Sequence, residues 1–556
     1  MQHRKRLFEV RKGMTRSLEE ELFILQGAHS REIASFLKAY KNEFKSPYRI
    51  SKKSALIEAV LKSDIIFNGD YHTLRQSQRI PIRILREVVK SRPQIVLATE
   101  VVMMKHQRHL DDFMEGRTTE EQLLERIDYK KNWGFDWNNF LPWFDFAKKY
   151  NIKMVGLNTG KTGKDLQERD KRGAELIVGL TMLYPKHLIY AIFGDLHMCR
   201  AHLPGEVIRL LGTYGLKRRT VTIFENSETI YWLLATRGLE EKVDVVKLRS
   251  DAYCVLNVPP WVKLQSHINW IEQNAELQIS EEHEWSDDEP QPFVDYTDQV
   301  YSYVQTIANY FDLPLKNLDG FSVYTMDDFS FVAKLEKNRQ YTKNHIKFLL
   351  SLIEQSQSFF IPGENIIYLG GLSVNGVAEE ATKFIYSYCT KFTAYSREST
   401  LMFLQTIFLE TLGYFGSKLI NHKRKCDQIR DFRLFLKRTT KNKTKIIKDK
   451  RLIAKGVLFL YEKESGVASG KSFPSDIPKF IRSKPKYLFA VGKNLGAMLG
   501  ERLYGAMIEG EVNMEWIKSL FKSKIDTKEK ASHSIENIMR MLADVKTTYK
   551  SKIENL

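Results

Sequence analysis

The stretch DIIFNGDYH, residues 64–72, joins an apolar, β-branched run to a glycine, an aspartate and a histidine. Residues 187–197, HLIYAIFGDLH, repeat this combination and again end in Gly-Asp-x-His. Such runs, bounded by a glycine, are typical of buried strands that stop at a turn. In a parallel sheet the carboxyl ends of the strands meet at one edge, where ligand sites lie. The repeat therefore predicts two strands that deliver His72 and His197 to the same edge.

Short apolar runs alternate with amphipathic helical stretches from residue 54 onward, as expected for βαβ units. Their continuous apolar character suits a sheet that is covered on both faces. We therefore predict an α/β domain over residues 54–274, with a mostly parallel sheet covered by helices. Its predicted strands are DIIFNGD (64–70), QIVLATEVV (94–102), KMVGLN (153–158), HLIYAIFGD (187–195) and RTVTIFEN (219–226).

The chain has 556 residues, which is too long for a single hydrophobic core. Residues 275–292 are polar, acidic and proline-marked, and they predict an interdomain linker. From residue 293 to 556 helical periodicity dominates, so we predict a mainly α-helical, basic C-terminal domain of unknown role, with Ser373 capping one helix. Residues 1–53 predict a basic helical extension, either packed on the first domain or a mobile arm.

Polar residues that follow the predicted strands are candidates for chemistry. Glu100 ends the apolar run VLATE, and buried glutamates are rare unless they are paired or functional. Together with His72 and His197 it forms our predicted catalytic and metal-binding set. The alternative is a glutamate that caps a helix or pairs with a lysine. The further predicted ligand-binding residues are Asp70, Tyr71, Asn158, Arg169, Asp170 and Asp195.

The formal net charge of +18 predicts an anionic partner. A basic segment at residues 418–455 could bind nucleic acid or an anionic membrane surface, or form a solvated pair of helices. We interpret Glu379, Glu380 and Glu410 as ordinary helix charges, because no E-x-x-H motif accompanies them.

Other features bound the class of protein. The four cysteines lie far apart and lack the spacing of a zinc or redox site. No apolar run reaches the roughly 18 residues of a transmembrane segment, and the N-terminus lacks the apolar core of a secretion signal. The expectation is a soluble cytoplasmic protein. The oligomeric state stays open, with a homo-oligomer among the options.

The order of these motifs resembles that of the ChaN-like haem-binding proteins, which share a superfamily with Tiki, TraB and erythromycin esterase-like proteins. The resemblance covers roughly residues 55–235. Asp70 stands where the family commonly has glutamate, and Gly173-Ala174 where it has Met-Ala. The matching positions are the G-x-x-H motifs at Gly69–His72 and Gly194–His197, Glu100 after the second strand, an aromatic element at Trp133, Trp137 and Phe140, Asn158, and the Arg169-Asp170 pair.

The resemblance implies a ligand-binding protein whose ligand is haem, an iron-related compound or another small anion, held at the carboxyl ends of the strands. Its Tiki branch implies an alternative, a metal-dependent hydrolase in which a divalent ion at His72, Glu100 and His197 activates water. A second alternative makes the α/β domain a scaffold and the basic helical domain the anion-binding part. Enzymatic activity therefore stays open at this point.

Overall fold

A computed structural model describes residues 2–27, 29–159, 166–282, 296–313, 315, 320–326, 328–338, 340–440, 444–468, 473, 477–482, 484–543 and 545. The chain divides into two compact units, one of Thr15–Ile271 and one of Met1–Met14 with Glu272–Asn555. Within the described ranges, no helix is long and apolar enough to cross a membrane. The predicted linker starts inside a helix that ends at Glu282, and residues 283–292 lie outside the described residues.

An eight-stranded sheet forms the centre of the first unit. Its strands are β1 (Arg49–Ser51), β2 (Ile65–Asp70), β3 (Ile95–Met103), β4 (Lys153–Asn158), β5 (Leu188–Gly194), β6 (Thr220–Glu225), β7 (Val245–Arg249) and β8 (Ala252–Val255). The helices up to residue 282 are α1 (Gln2–Gln26), α2 (Arg31–Glu43), α3 (Lys53–Leu61), α4 (Arg79–Val88), α5 (Gln107–Met114), α6 (Glu120–Arg126), α7 (Tyr129–Asn132), α8 (Trp137–Tyr150), α9 (Leu166–Leu183), α10 (Leu203–Thr213), α11 (Glu228–Ala235) and α12 (Pro260–Glu282).

The sheet order is β1-β7-β8-β6-β2-β5-β3-β4. β2 lies between β5 and β6 and runs parallel to both. The β3–β4, β3–β5 and β6–β8 pairs are also parallel, whereas β7 pairs antiparallel with β1 and β8. Separate apolar cores cover the two faces of this sheet, one against α4 and α8 and one against α9 and α10. The predicted mostly parallel α/β fold is confirmed.

All five predicted strands are present, with ends within two residues of the predicted ones. Their β-branched runs are buried along nearly their whole length, because helices cover both faces of the sheet. The first fifty residues contribute more than a helical extension. Arg49–Ser51 form an edge strand paired with β7, and α2 buries Phe36 in the first unit.

The second unit is mainly helical, as predicted. Its helices are α13 (Thr297–Tyr310), α14 (Ser330–Lys337), α15 (Lys343–Ile353), α16 (Val374–Thr390), α17 (Ser399–Ile420), α18 (Ile429–Arg438), α19 (Lys445–Ala468), α20 (Lys479–Arg482), α21 (Pro485–Glu509), α22 (Met514–Leu520) and α23 (Lys528–Met541). Three short strands, β9 (Ser322–Tyr324), β10 (Phe359–Ile361) and β11 (Ile366–Tyr368), form a small sheet. Ser373 caps α16 as predicted, because its hydroxyl accepts from Gly376 N at 3.2 Å.

Helix α17 is the core of this second unit. Every residue from Phe403 to Ile420 is buried, and α21 packs closely along it. A Cβ on Gly496 would lie 2.7 Å from the Ile407 carbonyl oxygen, and one on Gly500 would lie 2.6 Å from that of Thr411. Only glycine permits so close an approach of two helix backbones.

The interpretation of Glu379, Glu380 and Glu410 as ordinary helix charges is wrong, because all three are buried. They surround Lys383, whose Nζ lies 2.7 Å from Glu410, 3.0 Å from Glu380 and 3.7 Å from Glu379. The other oxygen of Glu379 binds Arg424 at 2.5 Å. Burial disfavours the charged lysine, but the three carboxylates outweigh it and hold the pKa of Lys383 well above its usual value.

We predict that Lys383→Met destabilises the protein by about 3–5 kcal/mol, because it leaves buried carboxylates without their cation. Urea unfolding followed by circular dichroism measures the change. Lys347→Met, which removes an exposed lysine from α15 of the same unit, should change the free energy of unfolding by less than about 0.5 kcal/mol. Equal effects of the two substitutions would contradict the assigned role of the lysine.

Candidate functional site

Strands β2 and β5 bring the two Gly-Asp-x-His motifs side by side. Asp70 pairs in register with Gly194, so the two strands end at the same edge of the sheet. A Cβ on Gly194 would lie 3.4 Å from Nε2 of His72, 3.5 Å from Cδ2 of His197 and 3.3 Å from Oε1 of Glu100. The glycine therefore leaves room for all three side chains around one point. The two histidines and the glutamate predicted from the motifs share one pocket.

His72 is held between two carboxylates. Its Nδ1 donates to Asp70 at 2.8 Å, and its Nε2 lies 3.0 Å from Oε1 of Glu100. Burial opposes protonation of the imidazole, but the bonds to Asp70 and Glu100 outweigh it and raise the pKa of His72 to about 10. His72 is therefore an imidazolium at neutral pH.

Glu100, at the carboxyl end of the regular part of β3, is 2% exposed. Besides His72 it accepts from Nη2 of Arg169 at 3.1 Å and from the Gly194 backbone N–H at 3.0 Å. Burial opposes its ionisation, but the hydrogen bond and charge of His72, followed by the charge of Arg169, lower the pKa of Glu100 to about 2. Arg169 thus belongs to the pocket and not to a solvated helix face.

His197 is bound by Asp170 of α9, with Nδ1 and Oδ1 2.6 Å apart. His202, which the sequence analysis missed, stands on the other side of Asp170, with its Nδ1 3.6 Å from Oδ2. Phe36 of α2 stacks on His202 at 3.8 Å and meets His197 edge-on at 5.6 Å. Helix α2 therefore seals this side of the pocket, and the His197 side chain is only 6% exposed.

Asp195, from the second motif, faces away from the histidines. It accepts from the Tyr40 hydroxyl at 2.7 Å and from Lys263 Nζ at 3.2 Å. The carboxylate that holds the His197 imidazole is that of Asp170. Tyr40 and Lys263 come from α2 and α12, and no motif in the sequence distinguished them.

An aromatic cluster lies against His72. The rings of Trp133 and Phe135 are 4.7 and 4.9 Å from its imidazole, and Trp270 of α12 stacks on Phe135 at 4.8 Å. We call these three residues the aromatic wall. All three are partly exposed, unlike the fully buried aromatic residues of the core. Trp133 lies ahead of α8 and not within it, whereas Trp137 and Phe140 are buried core residues.

Tyr71 is linked to the same side of the pocket. Its hydroxyl lies 2.9 Å from Nδ1 of His267, and Lys263 Nζ stands 4.3 Å above its ring. Burial, and then the positive charges of His72 and Lys263, lower the pKa of His267 to about 4. His267 is thus a neutral imidazole at neutral pH. Its α12 sequence gave no signal beyond helical periodicity.

A buried polar layer supports the site from below. Asn68 donates to Glu225 at 2.7 Å and accepts from the Tyr190 hydroxyl at 2.7 Å, and Ser77 also donates to Glu225. Burial raises the pKa of Glu225 well above its usual value. Glu225 ends β6 as Glu100 ends its own apolar run, so the same signal in RTVTIFEN could have identified it.

Two predicted features stand apart from this arrangement. Asn158 ends β4 and pairs in register with Met103, one strand beyond Glu100. Within the described residues, no group of three or more His, Cys, Asp or Glu side chains is arranged to hold a metal ion. A divalent ion at His72, Glu100 and His197 stays a prediction from the motifs.

Charged and aromatic side chains thus converge at the carboxyl edge of a mostly parallel sheet, the edge at which α/β domains commonly bind ligands. Residues 56–173 match the family described as haem-binding uptake, Tiki superfamily, ChaN. The resemblance inferred from the motifs is confirmed for this segment, which contains His72, Glu100 and Arg169.

One solved structure similar to this chain is described as "Cofacial heme binding to ChaN of Campylobacter jejuni". The two sequences are 13% identical, and the match covers 33% of this chain and 92% of that chain, with a TM-score of 0.25. No curated protein matches the chain.

The charged pair of His72 and Glu100 predicts a pH-dependent contribution to stability. Because the pKa of His72 is raised, its protonation stabilises the folded protein. This stabilisation is fully present below pH 6.5, the ordinary pKa of histidine, and is lost as the pH rises toward 10. Because the pKa of Glu100 is lowered, its ionisation also stabilises the folded protein. This stabilisation is present above pH 4.5, the ordinary pKa of glutamate, and is lost as the pH falls toward 2. We therefore expect His72→Gln to be most destabilising between about pH 4.5 and 6.5.

Urea unfolding of wild type and His72→Gln at pH 5.5, 7.5 and 9.5 checks this expectation. The difference in free energy of unfolding should shrink at each step upward in pH. His109→Gln, outside the pocket, measures the cost of losing a histidine elsewhere in the same unit. A difference that is constant or grows with pH would refute the assigned charge of His72.

Proposed function

We propose that the α/β domain, residues 54–274, binds haem or another flat apolar anion at the carboxyl edge of its sheet. The observation that carries the proposal is the aromatic wall of Trp133, Phe135 and Trp270 beside His72. Partly exposed aromatic side chains next to an imidazole provide apolar contact area and a polar anchor together. The match of residues 56–173 to a haem-binding family supports a ligand-binding role in general.

The residues at this edge fit a haem group. Trp133 Nε1 is buried and has no hydrogen-bond partner within the described residues, so a ligand acceptor could satisfy it. The His72 side chain is 23% exposed, so this side of the pocket is accessible. The guanidinium of Arg169, whose side chain is 16% exposed, suits the carboxylates of an anionic ligand.

His267 is the imidazole best suited to bind iron. Only a neutral imidazole can coordinate a metal, and burial keeps His267 neutral whereas His72 is protonated. Nε2 of His267 lies 2.8 Å from the amide of Gln26, an exposed side chain that can be displaced. Its Nδ1 faces the Tyr71 hydroxyl, the kind of partner that fixes the orientation of a ligating histidine. Bound haem would supply the iron chemistry, and these side chains would hold and orient it.

The geometry favours ligand binding over the metal-dependent hydrolase. The hydrolase requires His72, Glu100 and His197 to direct free donor atoms at one ion. Instead, both nitrogens of His72 are occupied, Nδ1 by Asp70 and Nε2 by Glu100. Elemental analysis nevertheless belongs in the test, because a bound ion could rearrange these pairs.

The test is a haem titration of the purified protein, followed by absorbance in the Soret region. We expect saturable binding, and we expect Trp133→Leu/Trp270→Leu to raise the Kd at least about tenfold, because two aromatic contacts are lost. His267→Ala should shift the Soret maximum, since the side chain that would bind the iron affects its electronic state. His345→Ala/His533→Ala, which removes two histidines from the second unit, should behave as wild type.

Metals are quantified in the same preparations, with His72→Ala/His197→Ala as a further variant. A divalent ion that is present in wild type and lost in this variant, without any Soret band, would overturn the haem proposal in favour of the hydrolase. The absence of both the divalent ion and the Soret band from the wild-type protein would also overturn the haem proposal.

A further inference from the structure

The predicted basic segment, residues 418–455, divides into an internal part and an exposed part. Lys418 is buried, and its Nζ donates to the carbonyl oxygen of Arg424 at 3.0 Å and lies 3.1 Å from Glu501. Arg424 in turn binds Glu379. These cations are therefore used inside the helical unit. The exposed cations of the segment begin with α18.

The exposed part contains far more cations than acidic residues. Residues 429–455 hold eleven Lys or Arg side chains and two acidic ones, Asp431 and Asp449. Asp431 is buried and caps α18 by accepting from the Gln428 N–H at 2.8 Å. Asp449 binds Lys486 of α21 at 2.7 Å. The exposed cations of this region therefore far outnumber the carboxylates that could neutralise them.

Three helices of the second unit meet in this region. Nη1 of Arg451, on α19, donates to the Leu436 carbonyl oxygen at 2.6 Å and so ties α19 to the end of α18. Helix α20 packs against α19 through Ile481, because a Cβ on Gly456 would lie 2.7 Å from its Cδ1. Cations on α18, α19 and α20 are therefore brought to neighbouring positions.

Six exposed side chains on these helices form no ion pair or side-chain hydrogen bond in the part of the chain that the structure describes. They are Arg433 and Lys437 of α18, Lys445, Lys448 and Lys455 of α19, and Arg482 of α20. We call these six residues the basic surface. The three lysines of α19 share one side of the helix, because steps of three and seven residues return close to the same angle. Like charges at such spacings destabilise a helix, so an anionic partner would stabilise this arrangement.

We propose that the basic surface binds the phosphate backbone of a nucleic acid. Lys445 to Lys455 spans about 15 Å of helix, at 1.5 Å per residue. A duplex presents one negative charge for about every 1.7 Å of its axis, so this length meets several phosphates. Arg433 and Arg482 add planar guanidinium groups, which can bind two phosphate oxygens together. The net charge of +18 adds to the attraction of any polyanion.

The positions of the apolar residues favour this partner over a membrane surface. A helix that binds a membrane inserts an apolar side next to its cations. Ile446, the most exposed large apolar residue of α19 at 68%, lies about half a turn around the helix from Lys448 and Lys455. Phe459 lies on the lysine side, but Nζ of Lys463 stands 5.3 Å from the centre of its ring. The largest apolar exposure of α19 is therefore turned away from its lysines.

The test is binding of a fluorescent duplex of about 20 base pairs to the full-length protein between about 50 and 300 mM KCl. The variant Lys445→Gln/Lys448→Gln/Lys455→Gln should lower the slope of log K against log salt by about 3, since each phosphate contact contributes roughly 0.9. Adding Arg433→Gln/Lys437→Gln should lower the slope further, by about 2. The Lys→Arg triple variant on α19 should retain most of the slope, because it keeps the charges.

The matched control is Lys337→Gln/Lys343→Gln/Lys347→Gln, which removes three exposed lysines from α14 and α15 of the same unit. It should leave the slope unchanged. Equal losses in the two glutamine triple variants would overturn the proposal, because the effect would then be one of net charge. Equal losses in the glutamine and arginine variants of α19 would also overturn it, because charge would then not be the cause.

Two competitors distinguish the partner. Polyglutamate that competes as well as the duplex at equal charge would overturn the proposal, as would anionic phosphatidylserine vesicles bound with the same dependence on the basic surface. A failure of the wild-type protein to bind the duplex at about 50 mM KCl would overturn it directly. Haem titration of the α19 glutamine variant should match wild type, so this proposal and the haem proposal fail independently.

Discussion

Glu100 is a buried carboxylate, and burial of an ionised carboxylate is tolerated only where cations and N–H donors surround it. Its partners come from three different places in the chain: the loop after β2, helix α9 and the end of β5. Each of these must be in position for the charge to be satisfied. The carboxylate therefore fixes how the loop, the helix and the strand meet at the sheet edge. The imidazolium of His72 and the guanidinium of Arg169 are held as charged groups for the same reason.

The sequence alone predicted much of this edge, because parallel strands bring their carboxyl ends together whatever their separation in the chain. That rule is enough to predict His72, Glu100 and His197 at the same edge of the sheet. It could not identify Tyr40 or Lys263, which reach Asp195 from helices far apart in sequence. Helical periodicity shows which side chains of a helix face the protein interior, but not which strand end those side chains contact. Contacts of this kind depend on the tertiary fold.

The second unit shows a different limit. A mainly helical fold was predictable from periodicity, whereas the environment of its acidic residues was not. Helix α17 is enclosed on all sides, so its glutamate has no route to water and must find a cation inside the bundle. Periodicity distinguishes an apolar from a polar face only when one face meets solvent. The partner, Lys383, sits on α16, 27 residues away along the chain.

Helix α2 gives the two similar motifs unequal neighbours. It closes over one imidazole with Phe36 and leaves the other open beside the aromatic wall. A small reagent dissolved in water would reach His72 more easily than His197, although both histidines end the same Gly-Asp-x-His motif. Two similar motifs have thus produced one histidine that is partly exposed to solvent and one that is buried and structural. A repeated sequence motif therefore does not imply that its two copies are equally accessible to a ligand.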